Sequence, residues 1–471
     1  PSSFTGYSSG SHVIINGAIS HTQATALDAV SATYIQATVS ETSVANLGAI
    51  TADNSTRSTL NKFSFTVSDT AATAAELNSA QAITSVVVDA SNVATIEASP
   101  ASAITTLYTG TTPSGIAGAD ITVNDTTITT TNYIAVDGYT TGTATFSATT
   151  ITGAAADIVT CLSGQNADVI HEAAIAVTAT DTTIAAADIN TLEGLTTGVV
   201  TVSSATSMTG TFTAVDEAFG HNDDTLAAVD GVVPPNRISG LDNINVTLTG
   251  DPTTGNVVST IAQTGTGKVT ATLPTTDENV GDFGALSGTG HVLTIATLID
   301  NSMAAATLKA LDAVTTETIA IDPADGDDSP DISSSTYADV LDILSSTSIT
   351  GLSDAAVEIS DNITVAQANV LNGKTTGAIT ATIATSDAAT LATLDATRGD
   401  TANAYTITIT DSTAAASDLN TIDGLTSVDV VVTEVDTVTG LLADLDTLYT
   451  NAGNFTNLGD EAITATDTTV D

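Results

Sequence analysis

The chain has 471 residues, 54 acidic side chains and only 7 basic ones, for a formal net charge of −47. Seven cations cannot neutralise a row of phosphates or grip anionic headgroups, which excludes nucleic acid and anionic membrane surfaces as partners. Yet 42% of the residues are hydrophobic and the mean hydropathy is +0.26, too apolar for a disordered polyanion.

The apolar content is mostly Ala, Val, Ile and Leu, with 3% aromatics and no Trp. Such small side chains suit thin, regular layers. Pro1-Ser2-Ser3-Phe4-Thr5-Gly6 has neither the basic start nor the apolar core of a signal peptide, so export would follow cleavage or use another route. No run reaches the ~18–20 apolar residues of a membrane span. Residues 1–60 read as a cap or assembly segment, with strands in SHVIINGAIS and YIQATVSE.

Residues 61–204 carry a repeat. Asp69, Asp125 and Asp181 each open a phrase such as DTTIAAADINTLEGLTTG, and they lie 56 residues apart. Gly138 and Gly194 stand 13 residues after their Asp, and Ala82 takes that place in the first copy. An alternating β-branched run precedes each Asp and reads as a strand. The Asp-Thr pair reads as an N-cap or turn. The Ala-rich piece that follows has apolar residues at +8 and +11, one face of a short helix, and the Gly is its stop. A second strand and a second helix-like piece complete the unit, which divides into two β–turn–α coils of about 28 residues.

Residues 205–295 break the pattern, with turn clusters at GVVPPNR, GDPTTGN and PTTDENVGDFG. They read as degenerate repeats or an insertion. Residues 296–471 resume it at Asp300, Asp361 and Asp411, and the stretch from Ile463 to Asp471 matches the opening of a repeat at Val177. The expected fold is a β-rich α/β solenoid of stacked coils forming parallel sheet, and a pure parallel β-helix is the alternative. At ~4.8 Å per strand, ~16 coils would make a rod of roughly 75–80 Å.

The phrases TGLLADLDTLYTNAGNFTNLGDEAITATD and TTIAAADINTLEGLTTGVVTVSSAT resemble the repeats of very large secreted surface proteins of marine cyanobacteria and other aquatic bacteria. Similar phrases occur in phage virion fibres. The resemblance covers roughly 60–190 and 300–471, and it implies an extracellular structural role without carrying over any functional residue.

Chemistry is sparse. Asp322, Asp325, Asp327, Asp328 and Asp331 offer five carboxylates in a Gly-containing loop and form the leading candidate Ca²⁺ site. Asp216, Glu217, Asp223 and Asp224 form a second candidate. A solvated acidic loop is the competing reading for both. The recurring Asp residues, if stacked at ~5 Å, would repel unless hydrogen-bonded or bridged by cations. His12, His21, His171, His221 and His291 have no metal-ligand spacing. QTGTGK at 263–268 would need a Gly at Ala262 and a Ser or Thr at Val269 to be a phosphate loop, so it reads as a turn. Cys161 reads as a buried small hydrophobe. No enzyme is expected and no cofactor is required, with Ca²⁺ the one candidate ion. The expected protein is an extracellular or cell-surface structural subunit of a filament, fibre or surface layer. It would associate with itself end to end or laterally, without inserting into a membrane. An adhesin binding cell-surface glycan through 205–295 and a virion fibre are the alternatives.

Overall fold

The structure is a computed structural model that describes residues 12–31, 33–50, 60–163, 169–220, 238–275, 278–323, 329–399 and 401–468. It is an α/β protein of many short strands in several parallel sheets, with fifteen α-helices among the described residues. The helices exclude the all-strand alternative. Two compact units divide the chain, Pro1–Ile244 and Asn245–Asp471.

In the first unit, helices begin at Ala74, Ala101, Thr130, Ala155, Ala186 and Phe212, and each packs on the next. The strands between them pair in parallel with their counterparts one segment away. Ala71–Thr73, Thr95–Ser99, Asp120–Val123, Ala144–Phe146 and Val169–His171 form one such sheet. Thr127–Thr129, Thr150–Gly153, Ala176–Ala179, Val200–Thr201 and Ile238–Ser239 form another.

The two halves of a repeat are unequal. Between the helices Ala101–Thr109 and Thr130–Asp137 lie the Ser114 bridge and two strands, with Asp125 between the strands. Between Thr130–Asp137 and Ala155–Leu162 lie only Ala144–Phe146 and Thr150–Gly153. The period of 56 thus combines a longer segment bearing the Asp and a shorter one bearing a Gly or Ser, where the sequence suggested two equal coils.

The second unit repeats the scheme. Ser302–Ala304, Asp331–Ser335, Val357–Ile363, Ile379–Ile383 and Ala404–Thr406 form one parallel sheet, and Thr413–Ala415, Thr437–Gly440 and Ala462–Ala465 another. Within 205–295 the β–α alternation continues, with strands Asn245–Leu248, Val269–Thr272 and Val292–Thr294 around the helix Thr254–Gln263.

The +8 and +11 side chains are the buried helix face. Leu77 and Ala80, Ile189 and Leu192, Leu308 and Leu311, and Leu419 and Ile422 are all at most 4% exposed. Each large aliphatic buried this way contributes roughly 1.5–3 kcal/mol before the entropy of ordering the chain. The first helical residue is Ala in Ala74, Ala101, Ala155, Ala186, Ala305, Ala388 and Ala416, each at most 2% exposed. This position lies against the neighbouring segment: a Cβ on Gly210 would sit 3.0 Å from that of Ala186, and one on Gly440 3.0 Å from that of Ala416. The crowding explains the Ala-rich composition.

Two local expectations are corrected. The N-cap is Thr73, Thr129 or Thr364 in three copies and a non-capping Ala185, Ala304 or Ala415 in three others, three or four residues after the recurring Asp, and Thr73 and Thr364 close capping boxes with Glu76 and Gln367. The Gly at +13 is not a left-handed stop. Gly138 and Gly424 are right-handed at φ −70 and −72, because the last helical hydrogen bonds simply continue through them. Gly is demanded four residues further on, where a Cβ on Gly198 would lie 2.4 Å from the Ile175 carbonyl oxygen.

Candidate functional site: the ladders between segments

The recurring Asp does not serve its own helix. Its carboxylate accepts the first helical N–H of the preceding segment. Asp69 takes it from Val44, Asp125 from Ala101, Asp181 from Ala155 and Asp300 from Val280, all at 2.7 Å. Asp361 takes it from Tyr337 at 2.9 Å, Asp411 from Ala388 at 2.5 Å and Asp467 from Leu442 at 2.8 Å. A negative charge at a helix start also meets the positive end of its dipole. The carboxylates are therefore hydrogen-bonded, which answers the repulsion that a bare stack of like charges would suffer. Ser99 and Ser335 do the same for Ala74 and Ala305 on alternate segments.

We expect Asp181→Ala to destabilise the first unit by about 1 kcal/mol, the usual worth of a cap. Asp181→Asn keeps an acceptor and should lose less. Urea midpoints of the three proteins check this, and equal midpoints for Ala and wild type would contradict it.

A second ladder uses Thr. The hydroxyls of Thr84, Thr140, Thr196, Thr315, Thr375 and Thr426 donate to the carbonyls of Phe63, Ala119, Ile175, Leu293, Ala355 and Tyr405, at 2.5–3.0 Å. Each hydroxyl also accepts the backbone N–H two residues later, as Thr196 does from Gly198 at 2.9 Å. One oxygen thus closes its own turn and ties it to the segment before.

A third device joins helix to helix. The Asn78, Asn190, Asn369 and Asn420 amides donate to Ala103, Ala214, Thr393 and Asp444 carbonyls on the following segment. At the equivalent place Lys309 reaches Asp339 at 2.8 Å and Asp342 at 2.6 Å. Hydrogen bonds to Asp339 and then Asp342 hold the ammonium above its ordinary range, and Lys309 holds the Asp339 carboxyl below its own. Sequence reading missed the Thr and Asn ladders. Their signal was the recurrence of TTG, and of Asn nine residues after Asp69, Asp181 and Asp411.

The acidic candidates are only partly placed. Asp325, Asp327 and Asp328 lie outside the described residues, as do Asp223 and Asp224. Asp331 opens a strand and its N–H reaches the Asn301 carbonyl, while the Asp322 N–H reaches the Leu298 carbonyl. Asp216 and Glu217 stand exposed on the helix Phe212–Gly220, with Glu217 accepting from Asn190 at 2.9 Å. Among the described residues, no three His, Cys, Asp or Glu converge as metal ligands would.

Two grooves open in the second unit. One of about 300 Å³ lies between Val280–Phe283 and the helix Ala305–Val314, and no titratable side chain lines it. The other, about 320 Å³, lies over the sheet at Ser302, Asp331, Glu358 and Thr380, where no His, Lys or Cys accompanies the carboxylates. Cys161 is buried, and burial, with Asp157 and Asp137 nearby, pushes its thiol up to about 12. It is therefore a thiol rather than a thiolate at neutral pH. Among the described residues, no helix is long and apolar enough to cross a membrane. Neither a family model, nor a curated protein, nor a solved structure matches the chain.

Proposed function

We propose that the chain is an α/β solenoid and serves as a structural section of an extracellular or cell-surface assembly, a filament, fibre or surface layer, with no catalytic task. The observation that carries this reading is where the recurring polar residues go. Seven Asp carboxylates and six Thr hydroxyls are each engaged in joining one segment to the one before it. Side chains in a catalytic cleft are left facing a substrate; here the periodic ones face the chain itself. The resemblance of the repeat phrases to those of secreted surface proteins points the same way.

The partner proposed for such a section is a second copy of the chain, end to end or laterally. The charge of −47 opposes such contacts at low ionic strength. Screening shortens the repulsion to about 8 Å at 0.15 M salt. Light scattering should therefore show the association rising with NaCl and rising further with Ca²⁺. Scattering that stays flat across both titrations would speak against self-assembly.

A further inference from the structure

His291 is 3% exposed and immediately precedes the strand Val292–Thr294. Its ring Nδ1 accepts the N–H of Val269, the first residue of the paired strand Val269–Thr272, at 3.0 Å. Two other segments make this bond with an amide. Asn61 accepts from Ile35 and Asn403 from Ile379, each at 2.9 Å and each from the residue just before a strand. An amide oxygen accepts at any pH, whereas an imidazole nitrogen accepts only while the ring is neutral.

The other ring nitrogen faces the turn before it. Nε2 would lie 2.7 Å from a Cβ on Gly288, and the Ser287 backbone hydrogen-bonds the ring. The neutral tautomer with its proton on Nε2 satisfies both partners. A doubly protonated ring has no lone pair for Val269 and leaves a buried N–H without an acceptor. Charged groups on the packed elements are Lys268, from the preceding segment, and Glu317, from the following one. Lys268 Nζ donates to the Thr289 carbonyl, which places its charge on the same turn as the ring.

We propose that His291 is an acid-sensitive latch, whose protonation releases Val269 and loosens the pairing of Val269–Thr272 with Val292–Thr294. Burial, and then Lys268, hold the imidazole below its ordinary value of 6.5. A base depressed in the folded state leaves stability intact above the unfolded value. Stability then falls as pH drops below about 6.5 and the unfolded chain takes up the proton. Carboxylate protonation belongs to a separate window, near pH 4.

The test is hydrogen exchange of the 268–272 peptide at pH 7.5 and 5.0, corrected for intrinsic rate, in wild type and His291→Asn. Protection in the wild type should fall severalfold more than in the variant, up to the limit of about thirtyfold set by an ordinary value of 6.5 against pH 5.0, because the variant carries the pH-indifferent acceptor of Asn61 and Asn403. Equal falls would overturn the latch. If the variant does not fold, ¹⁵N titration of the wild-type ring decides. A neutral Nε2–H ring titrating below 6.5 supports the latch, and one titrating at or above 6.5 overturns it.

Discussion

Asn403→Leu is expected to lower the unfolding free energy of the second unit by about 3 kcal/mol. Asn403 is fully buried, and its Oδ1 accepts from Ile379 at 2.9 Å. Its Nδ2 donates to the Tyr405 hydroxyl at 3.1 Å and to Asn372 Oδ1 at 3.4 Å. Leu has the same four side-chain heavy atoms in a bulkier branch, so no cavity opens; what is lost is polar, and overpacking adds to the cost. The Ile379 N–H and the Tyr405 hydroxyl would remain buried without their partner, and an unsatisfied buried group costs about 1–3 kcal/mol. Urea unfolding followed by far-ultraviolet circular dichroism reads the change. A loss below about 1 kcal/mol would mean that water or a neighbouring residue replaces the amide.

Thr196→Val should cost about 2 kcal/mol in the first unit. The hydroxyl of Thr196 is its tie to Ile175 and the acceptor for Gly198, in a residue 3% exposed. Val is close in shape but can do neither. A Cβ at Gly198 would lie 2.4 Å from the Ile175 carbonyl oxygen, so this turn packs closely on the segment before it. Thr196→Ser keeps the hydroxyl and loses one methyl, so it should cost under about 1.5 kcal/mol. The difference between Val and Ser isolates the hydrogen bonds from the packing. Equal costs for the two would assign the position to packing alone.

How much of this was legible in the sequence depends on range. The helix face could be read because its signal is local: residues at +8 and +11 bury together, as Ile189 and Leu192 do, with the pair moved to Ala368 and Leu371 in the copy that is one residue shorter. Strands could be read for the same reason, from β-branched alternation beside each Asp. The partner of the Asp could not. The local rule that places Asp at a helix start is sound, but Asp181 sits where the chain still has one strand to run, Thr183–Ala185, before its own helix. The helix start within its reach is Ala155, 26 residues earlier. Likewise, nothing in the composition of TTG says that the first Thr bonds a carbonyl about 21 residues upstream. Such contacts are long-range in sequence and become visible only when segments are laid side by side. Of the acidic candidates that are described, Asp331 opens an inner strand, Asp322 follows the strand Ile319–Ala320, and Asp216 and Glu217 lie on a helix.

The inequality of the two half-repeats has the same origin. Fifty-six residues divide evenly by arithmetic, yet helix starts at Ala74, Ala101, Thr130, Ala155 and Ala186 alternate in spacing. In the first unit the longer interval carries the Asp, whose carboxylate covers the start of the preceding helix; in the second the order reverses, since Ala305 to Tyr337, with Ser335, is longer than Tyr337 to Val365, with Asp361. The period is thus that of a pair of interfaces, one closed by Asp and one by Gly or Ser.

Electron microscopy of the purified chain, at high concentration in seawater-strength salt with Ca²⁺, tests the structural reading most directly. Ordered filaments or sheets with a repeat set by stacked segments are the expected result. Dispersed single particles at every salt and Ca²⁺ concentration would contradict it.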